Sequence, residues 1–509
     1  MISSDFFYRP EWTCGRYDAQ HHAALMYNLL EGMAYFFEDI SADVMGVVLS
    51  IPTNGKMTLS ELSEKCGLTE NDLHPFVQQL AQLNLITQGQ VTENGVKEYR
   101  HALSEWKRTH KFSKPQRTIE KLPFEMSNAE MAYAEKVGGV TAVMLELTYN
   151  CSEKCIHCYN IGATRNDSED NGRNSVKSMS LGQYHDVIDQ LYDSGVTKIT
   201  LSGGDPFSNP LCWGIIDYIH KKGIAFAVFT NGQSIVNDVE RLAGYYPLLV
   251  GVSIYSTIPQ IHDYITRVDG SWQKSTDVLE RLSKMSVPLN VKCCIMRPNV
   301  KSYRGVAELA HKLGAYPQFE LSISDSVEGD KCARFLRLNH SELEVALRDD
   351  NIPLYVGEEA PNFGGQERDM DANGCGAAVT TFCISPNGAL MPCCSFHLEF
   401  GNLIETPIEE ILSNSESLKE WRQATLRQYD ECGLHDYCGY CNLCPGLGYS
   451  EHGSWKKAAE NCCYMAKERF SLATKMLEGY DPLRGKSVDD AIQSLPDYER
   501  KTLHRVFEI

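Results

Sequence analysis

Cys151, Cys155 and Cys158 stand at C-x₃-C-x₂-C spacing directly after an apolar run from Val140 to Thr148, which reads as a buried strand. Thiols this close in sequence must share one loop at the end of that strand. Three thiolates suit three corners of a [4Fe–4S] cube and leave the fourth iron without a protein ligand. An open iron can hold a small molecule and pass it an electron, which a fully ligated cluster cannot do. The alternative is a zinc site, which needs four closed ligands and prefers paired C-x₂-C knuckles; His157 could supply the fourth.

The segments that follow alternate in period. Strand-like runs at Lys198–Ser202, Ala225–Thr230, Leu248–Ile254, Leu289–Met296 and Gln318–Ser322 are separated by amphipathic stretches at Leu181–Ser194, Trp213–Lys222, Trp272–Met285 and Tyr303–Leu313. Counting Val140–Thr148, six β/α units imply an α/β fold with a parallel sheet. Loops at the C-terminal strand ends then gather at one face. Residues 162–178 are polar with few apolar anchors and read as a mobile lid or disordered insertion.

Several loops carry recognisable patterns. Strand two ends in Ser202-Gly203-Gly204-Asp205-Pro206, where two glycines let backbone approach a ligand closely; an ordinary strand-end turn is the plainer reading. Thr230-Asn231-Gly232 closes strand three, Ser253 lies near the end of strand four, and strand five holds Cys293-Cys294, of which at most one can face the interior. The cysteine spacing and these motifs in this order resemble the radical S-adenosylmethionine (SAM) superfamily. The resemblance implies a partial (β/α)6 TIM-like barrel over 139–345 and a SAM-binding cluster on Cys151, Cys155 and Cys158. It also implies SAM contacts from Gly203, Gly204, Asp205 and Ser253, with Asp205 standing where the family has Glu. His157 reads as a packing residue beside the cluster.

Of 19 cysteines, most fall in 151–158 and 375–463. In a long chain without a signal-peptide pattern this points to metal or redox chemistry, not disulfides. Cys375, followed by Gly388-x₄-Cys393, resembles the SPASM extension, which holds two auxiliary [4Fe–4S] clusters. Family topology implies Cys375, Cys383, Cys393 and Cys444 for the first. It implies Cys432, Cys438, Cys441 and Cys462 for the second, with Cys394 and Cys463 as near-spares. The chain's C-x₅-C-x₂-C-x₂-C run departs from the family's C-x₂-C-x₅-C-x₃-C, and one cluster or a zinc ribbon is the alternative. Residues 375–465 show little periodicity, the pattern expected where metal ligation replaces a hydrophobic core. Residues 346–374 bridge to it, and 466–509 read as a polar helical tail.

Upstream, 1–24 reads as an N-terminal segment and 111–138 as a linker. Between them, 25–110 reads as a winged helix: a helix over Ser41–Ser50, a capping box from Thr58 to Glu61, a second helix over Leu73–Asn84, then a β-wing through Leu85–Thr87 and Val91. That unit holds 6 Lys+Arg against 11 Asp+Glu, which argues against a DNA-facing surface. It resembles the PqqD-like peptide-recognition element, whose relatives bind a leader peptide by strand addition.

The whole chain carries a net charge of −19 and no run long enough to span a membrane. Nucleic acid and membrane are excluded as partners, and a cytoplasmic address is expected. The combined resemblance is to radical SAM/SPASM maturases of ribosomally made (RiPP) peptides. It implies an oxidoreductase that removes a substrate hydrogen atom with the 5′-deoxyadenosyl radical and crosslinks a precursor peptide, the auxiliary clusters accepting an electron or ligating substrate. The leader would bind the N-terminal unit, and a reductant such as flavodoxin or ferredoxin would supply electrons. The runners-up are sulfatase-maturase-like oxidation of a Cys or Ser in a protein partner, and a non-catalytic metal-binding winged-helix regulator.

Overall fold

The computed structural model describes residues 6–106, 127–160, 176–357 and 369–498. The chain opens with short strands β1 (Phe6–Tyr8), β2 (Thr13–Asp18), β3 (Ala23–Asn28) and β4 (Met33–Glu38), then the helix Asp39–Ser50 and β5 (Lys56–Thr58). β2, β3 and β4 form an antiparallel sheet with β3 in the middle, and β1 pairs with β5. Residues 6–24, expected as a segment outside the unit, therefore supply β1, β2 and the start of β3.

The helical part follows the sequence reading closely. Thr58 and Glu61 form the reciprocal capping box that starts Leu59–Cys66, and Gly67 ends that helix in the left-handed conformation. Thr69 caps Glu70–Gln82. No extended wing follows: Thr87 makes one antiparallel bridge to Tyr8, and Glu93–Trp106 is a helix. Tyr8 is already there to take the Thr87 backbone bonds, so the segment pairs across the unit instead of folding back on itself.

β3 is buried along its whole length. Ala24 and Met26 face the helical core, whereas Leu25 and Tyr27 pack with Tyr133, Ala225, Tyr246 and Leu248. Tyr133 belongs to the helix Asn128–Val137, the described end of the expected linker, which packs on β3 and β4. The N-terminal unit thus sits against the next domain through a two-sided strand.

That domain holds six parallel strands in chain order: β6 (Ala142–Glu146), β7 (Lys198–Ser202), β8 (Ala225–Thr230), β9 (Leu249–Ser253), β10 (Leu289–Cys294) and β11 (Tyr316–Glu320). All six agree with the sequence reading within two residues at each end. β11 begins two residues early because its register with β10 starts at Tyr316. Only Phe319 of that edge strand is buried, so hydrophobicity drew the reading towards Leu321. The polar stretch 162–178 lies almost entirely outside the described residues.

The cysteine-rich region adds β12 (Thr381–Ile384), β13 (Ala389–Met391) and β14 (Gly401–Asn402) to the same sheet. β12 runs parallel to β6, with Cys383 opposite Met144. The expectation of a coreless segment is corrected here. Phe396, Trp421 and Trp455 are buried in the main core, with ring centroids 5.0 and 5.4 Å apart along the series. The tail is helical over Glu460–Leu477 and Val488–Gln493. Gln493 bonds the Lys301 carbonyl on the barrel at 2.8 Å.

A buried polar group ties the first unit to the barrel. Glu130 Oε1 lies 2.6 Å from Lys198 Nζ with both side chains about 5% exposed, and the Tyr27 hydroxyl donates to Glu130 at 3.0 Å. Removing one member of such a pair strands the other charge and costs ~3–5 kcal/mol. Glu130→Ala is expected to lower the thermal unfolding midpoint markedly. The Glu130→Leu/Lys198→Leu double variant is expected to recover most of that loss.

Candidate active site

Thr148 to Cys158 forms the loop after β6, seated on the end of β7. Gly204 N–H donates to the Thr148 carbonyl at 2.6 Å and Asp205 N–H to the Asn150 carbonyl at 3.0 Å. A Cβ on Gly203 would lie 2.2 Å from the Thr148 oxygen, and one on Gly204 would lie 2.4 Å from the Asn150 oxygen. Gly203 also has a φ of +128°. The glycine pair therefore serves close approach, as its sequence suggested, and the partner it meets is the cysteine loop itself.

Asp205 braces this seat. It is fully buried, and its carboxylate accepts from Thr230 Oγ1 at 2.6 Å, Asn231 N–H at 3.0 Å and Phe207 N–H at 2.9 Å. Both oxygens accept hydrogen bonds within the protein, and the side chain ties the ends of β7 and β8 together. Asn231, held there, points its side-chain amide at Cys151 Sγ, 3.2 Å away.

Aromatic residues support the other side of the loop. Ile156 N–H donates to the Ile265 carbonyl at 2.9 Å. His157 meets Tyr255 edge-on at 4.8 Å, and Tyr255 stacks at 5.5 Å on His262. His157 is thus the packing residue its position suggested. Tyr255 N–H donates to His262 Nδ1 at 3.1 Å, and burial pushes His262 down to about 4. The Tyr255 carbonyl accepts from Asn299 Nδ2 at 2.7 Å. Tyr255, His262 and Asn299 escaped sequence reading because their roles depend on contacts between separate loops. Ser253 faces the interior on β9 beside Tyr255 and opposite Lys292.

The donor set fits an iron–sulfur cluster. Burial pushes Cys151 up to about 12 and Cys155 well above its usual value. Their thiolates need a compensating positive charge, which cluster iron provides. Among the described residues no three His, Cys, Asp or Glu side chains converge on a single ion, whereas each corner of a cube takes its own thiolate.

The second cysteine group lies across the barrel mouth. Cys393 feels the charges of Cys375 and Cys444 and acts in turn on Cys383, which makes neighbours of the four residues expected for the first auxiliary cluster. Cys444 begins the helix Pro445–His452, whose Gly446 and Leu447 amides face its sulfur. Cys432, Cys438, Cys441 and Cys462 line one pocket together with Cys463, as expected for the second. Cys383 also turns inward from β12 towards the buried Glu146, and Cys394 interacts with Tyr159. Strand alternation places Cys293 in the outer core, leaving Cys294 for the interior.

Residues 145–310 match the Radical SAM superfamily, and residues 375–445 match the SPASM iron-sulfur cluster-binding domain. The chain carries a radical SAM domain followed by a SPASM domain, and it is an enzyme. Its cofactors are [4Fe–4S] clusters and SAM. It is 26% identical over 336 residues to the antilisterial bacteriocin subtilosin biosynthesis protein AlbA of Bacillus subtilis, covering 63% of this chain and 70% of AlbA. It is 24% identical over 340 residues to the AdoMet-dependent heme synthase of Methanosarcina barkeri, covering 63% and 95%. The crystal structure of Streptococcus suis SuiB bound to precursor peptide SuiA shares its fold with a TM-score of 0.51 and 11% identity, covering 90% of this chain and 99% of SuiB. An enzyme assignment removes the non-catalytic regulator reading. Among the described residues, no helix is long and apolar enough to cross a membrane.

Two outcomes test this geometry. Hydrogen bonds to cluster sulfur stabilise the reduced, more negative state. Asn231→Leu is therefore expected to leave iron content unchanged and move the SAM-cluster reduction potential to more negative values, measured by EPR-monitored titration. His262 has a folded pKa below its unfolded one, so the unfolded state binds the proton more readily. The protein is expected to lose about 3 kcal/mol of stability as pH falls from about 6.5 to 4. His262→Asn is expected to flatten that limb in urea unfolding.

Proposed function

We propose that this enzyme oxidatively crosslinks a ribosomally made precursor peptide whose leader docks on the N-terminal unit. The observation that carries this reading is the N-terminal unit itself, a three-stranded sheet built onto the barrel, in a chain 90% of which is covered by the likeness to SuiB. AlbA, a bacteriocin biosynthesis protein, supports the same substrate class.

β4 ends that sheet with a free outer edge among the described residues. Phe37 on β4 meets Phe76 of the helix Glu70–Gln82 edge-on at 6.0 Å. An extended leader added along β4 would run beside this helix, taking backbone bonds from the strand and side-chain contacts from the helix. The core segment of the peptide would enter the barrel mouth between the Cys151 loop and the SPASM cysteines.

When bound, SAM and the Cys151/Cys155/Cys158 cluster supply the hydrogen-abstracting radical chemistry. The chain's own residues seat the cluster loop, close the barrel floor and position the substrate. We assign SAM contacts to Gly203, Gly204 and Ser253, with Asp205 acting through the loop, and the auxiliary ligands to Cys375, Cys383, Cys393 and Cys444 and to Cys432, Cys438, Cys441 and Cys462. A flavodoxin or ferredoxin is the reductant this chemistry asks for, and the address is cytoplasmic.

Two variants separate recognition from chemistry. Cys155→Ala is expected to abolish 5′-deoxyadenosine formation from SAM, followed by chromatography. Phe76→Ala is expected to keep that formation and weaken binding of the fluorescently labelled leader of the adjacent-gene peptide by about tenfold; unchanged binding would refute β4-edge docking.

A further inference from the structure

Along the barrel strands, one set of side chains faces the helices and the other faces the interior. Val250 and Val252 on β9 and Val291 and Cys293 on β10 belong to the outer core. Alternation therefore turns Gly251, Ser253, Lys292 and Cys294 inward. β8 is paired so that Phe229 lies opposite Gly251, and Lys292 lies opposite Ser253.

These positions build a specific arrangement. Lys292 Nζ lies 3.0 Å from the Phe229 ring centroid, reaching across β9 to do so. Gly251 makes that reach available: a Cβ there would lie 2.9 Å from Phe229 Cδ1 and 3.0 Å from Lys292 Cε. The amine interacts electrostatically with Cys394 of the SPASM region and with Cys294 on its own strand. Cys294 in turn interacts with Glu320 on β11 and with Tyr255 beside the Cys151 loop. Cys394 interacts with Glu146 and Tyr159. Glu146 itself accepts from the Tyr149 hydroxyl at 3.1 Å and from Cys383, so its carboxylate is already engaged.

We infer that Lys292 is a catalytic residue of the barrel, taking up the proton that the substrate releases when the new bond forms. The inference rests on the crosslinking function proposed above. There, a C–H carbon loses a hydrogen atom to the SAM-derived radical, and the carbon is captured by a sulfur, oxygen or carbon nucleophile that bears a hydrogen. A bond forms between carbon and nucleophile, and the nucleophile–hydrogen bond breaks. An auxiliary cluster held by the SPASM cysteines would supply the one-electron acceptor, and the proton goes to Lys292 Nζ, which balances the step. Such an acceptor must be neutral near the working pH. Burial supplies this, pushing Lys292 down to about 7 against the opposing pull of Cys394 and Cys294.

The test uses the anaerobically reconstituted full-length enzyme, with Lys292→Met and Lys292→Arg variants, and the short peptide encoded beside the gene. Both variants are expected to retain 5′-deoxyadenosine formation within about threefold and to lose crosslinked product by at least about 100-fold. The wild-type product rate is expected to rise with pH through about 7 while SAM cleavage does not. Product formation by Lys292→Met within threefold of wild type, or full rescue by Lys292→Arg, would overturn the assignment, since Arg carries the charge and cannot accept a proton. Competitive acetylation of the holoenzyme between pH 5.5 and 9.5, read by peptide mass spectrometry, decides the protonation state without any substrate. Half-reactivity near pH 7 supports the inference, and a midpoint above 9 overturns it. If wild type cleaves SAM and leaves the peptide unaltered, the peptide reading fails, and the acetylation midpoint still tells whether Lys292 can act as a base.

Discussion

The seat of the cysteine loop on the end of β7 is the constraint on which the catalytic architecture depends. Thr148 and Asn150 press their carbonyls to within 2.2 and 2.4 Å of where side chains on Gly203 and Gly204 would stand. Only a residue without a Cβ allows that approach, and Gly203 also needs a left-handed φ. Asp205 then locks the junction by accepting from Thr230 and Asn231 across to β8. Asn231, fixed by that bond, meets Cys151. Three segments distant in sequence thus converge on one sulfur.

The rest of the molecule encloses that loop. The barrel floor is covered by Leu25 and Tyr27 of β3 together with Tyr133. At the mouth, Asp325 pairs bidentately with Arg334 at 2.7 Å, and Arg337 reaches Glu451 at 3.0 Å in the SPASM helix Pro445–His452. Cys383 is positioned by β12 lying parallel to β6, the strand that leads into the Cys151 loop.

Sequence reading captured what is local. The six strands alternate with helices, the capping box at Thr58 is intact, and the C-x₃-C-x₂-C loop follows β6. It also grouped Cys432, Cys438, Cys441 and Cys462, which line one pocket. It missed what depends on pairing between distant segments. β2 lay in a stretch dismissed as an N-terminal segment, because Thr13–Asp18 holds few apolar residues and gains its place only from β3. The wing was replaced by a bridge from Thr87 to Tyr8. The hydrogen bonds of Asp205 to Thr230 and Asn231 are tertiary facts that its own motif does not announce. Lys292 was invisible, since nothing in Val-Lys-Cys-Cys tells which face the lysine takes until the strand register is known.

The decisive measurement is the intact mass of the peptide encoded beside this gene after anaerobic co-expression with the enzyme. A loss of about two mass units per modification, absent without the enzyme, is the result expected of oxidative crosslinking, since each new bond removes two hydrogens. An unchanged mass, alongside continuing SAM cleavage, would contradict the assignment of this barrel to precursor-peptide crosslinking.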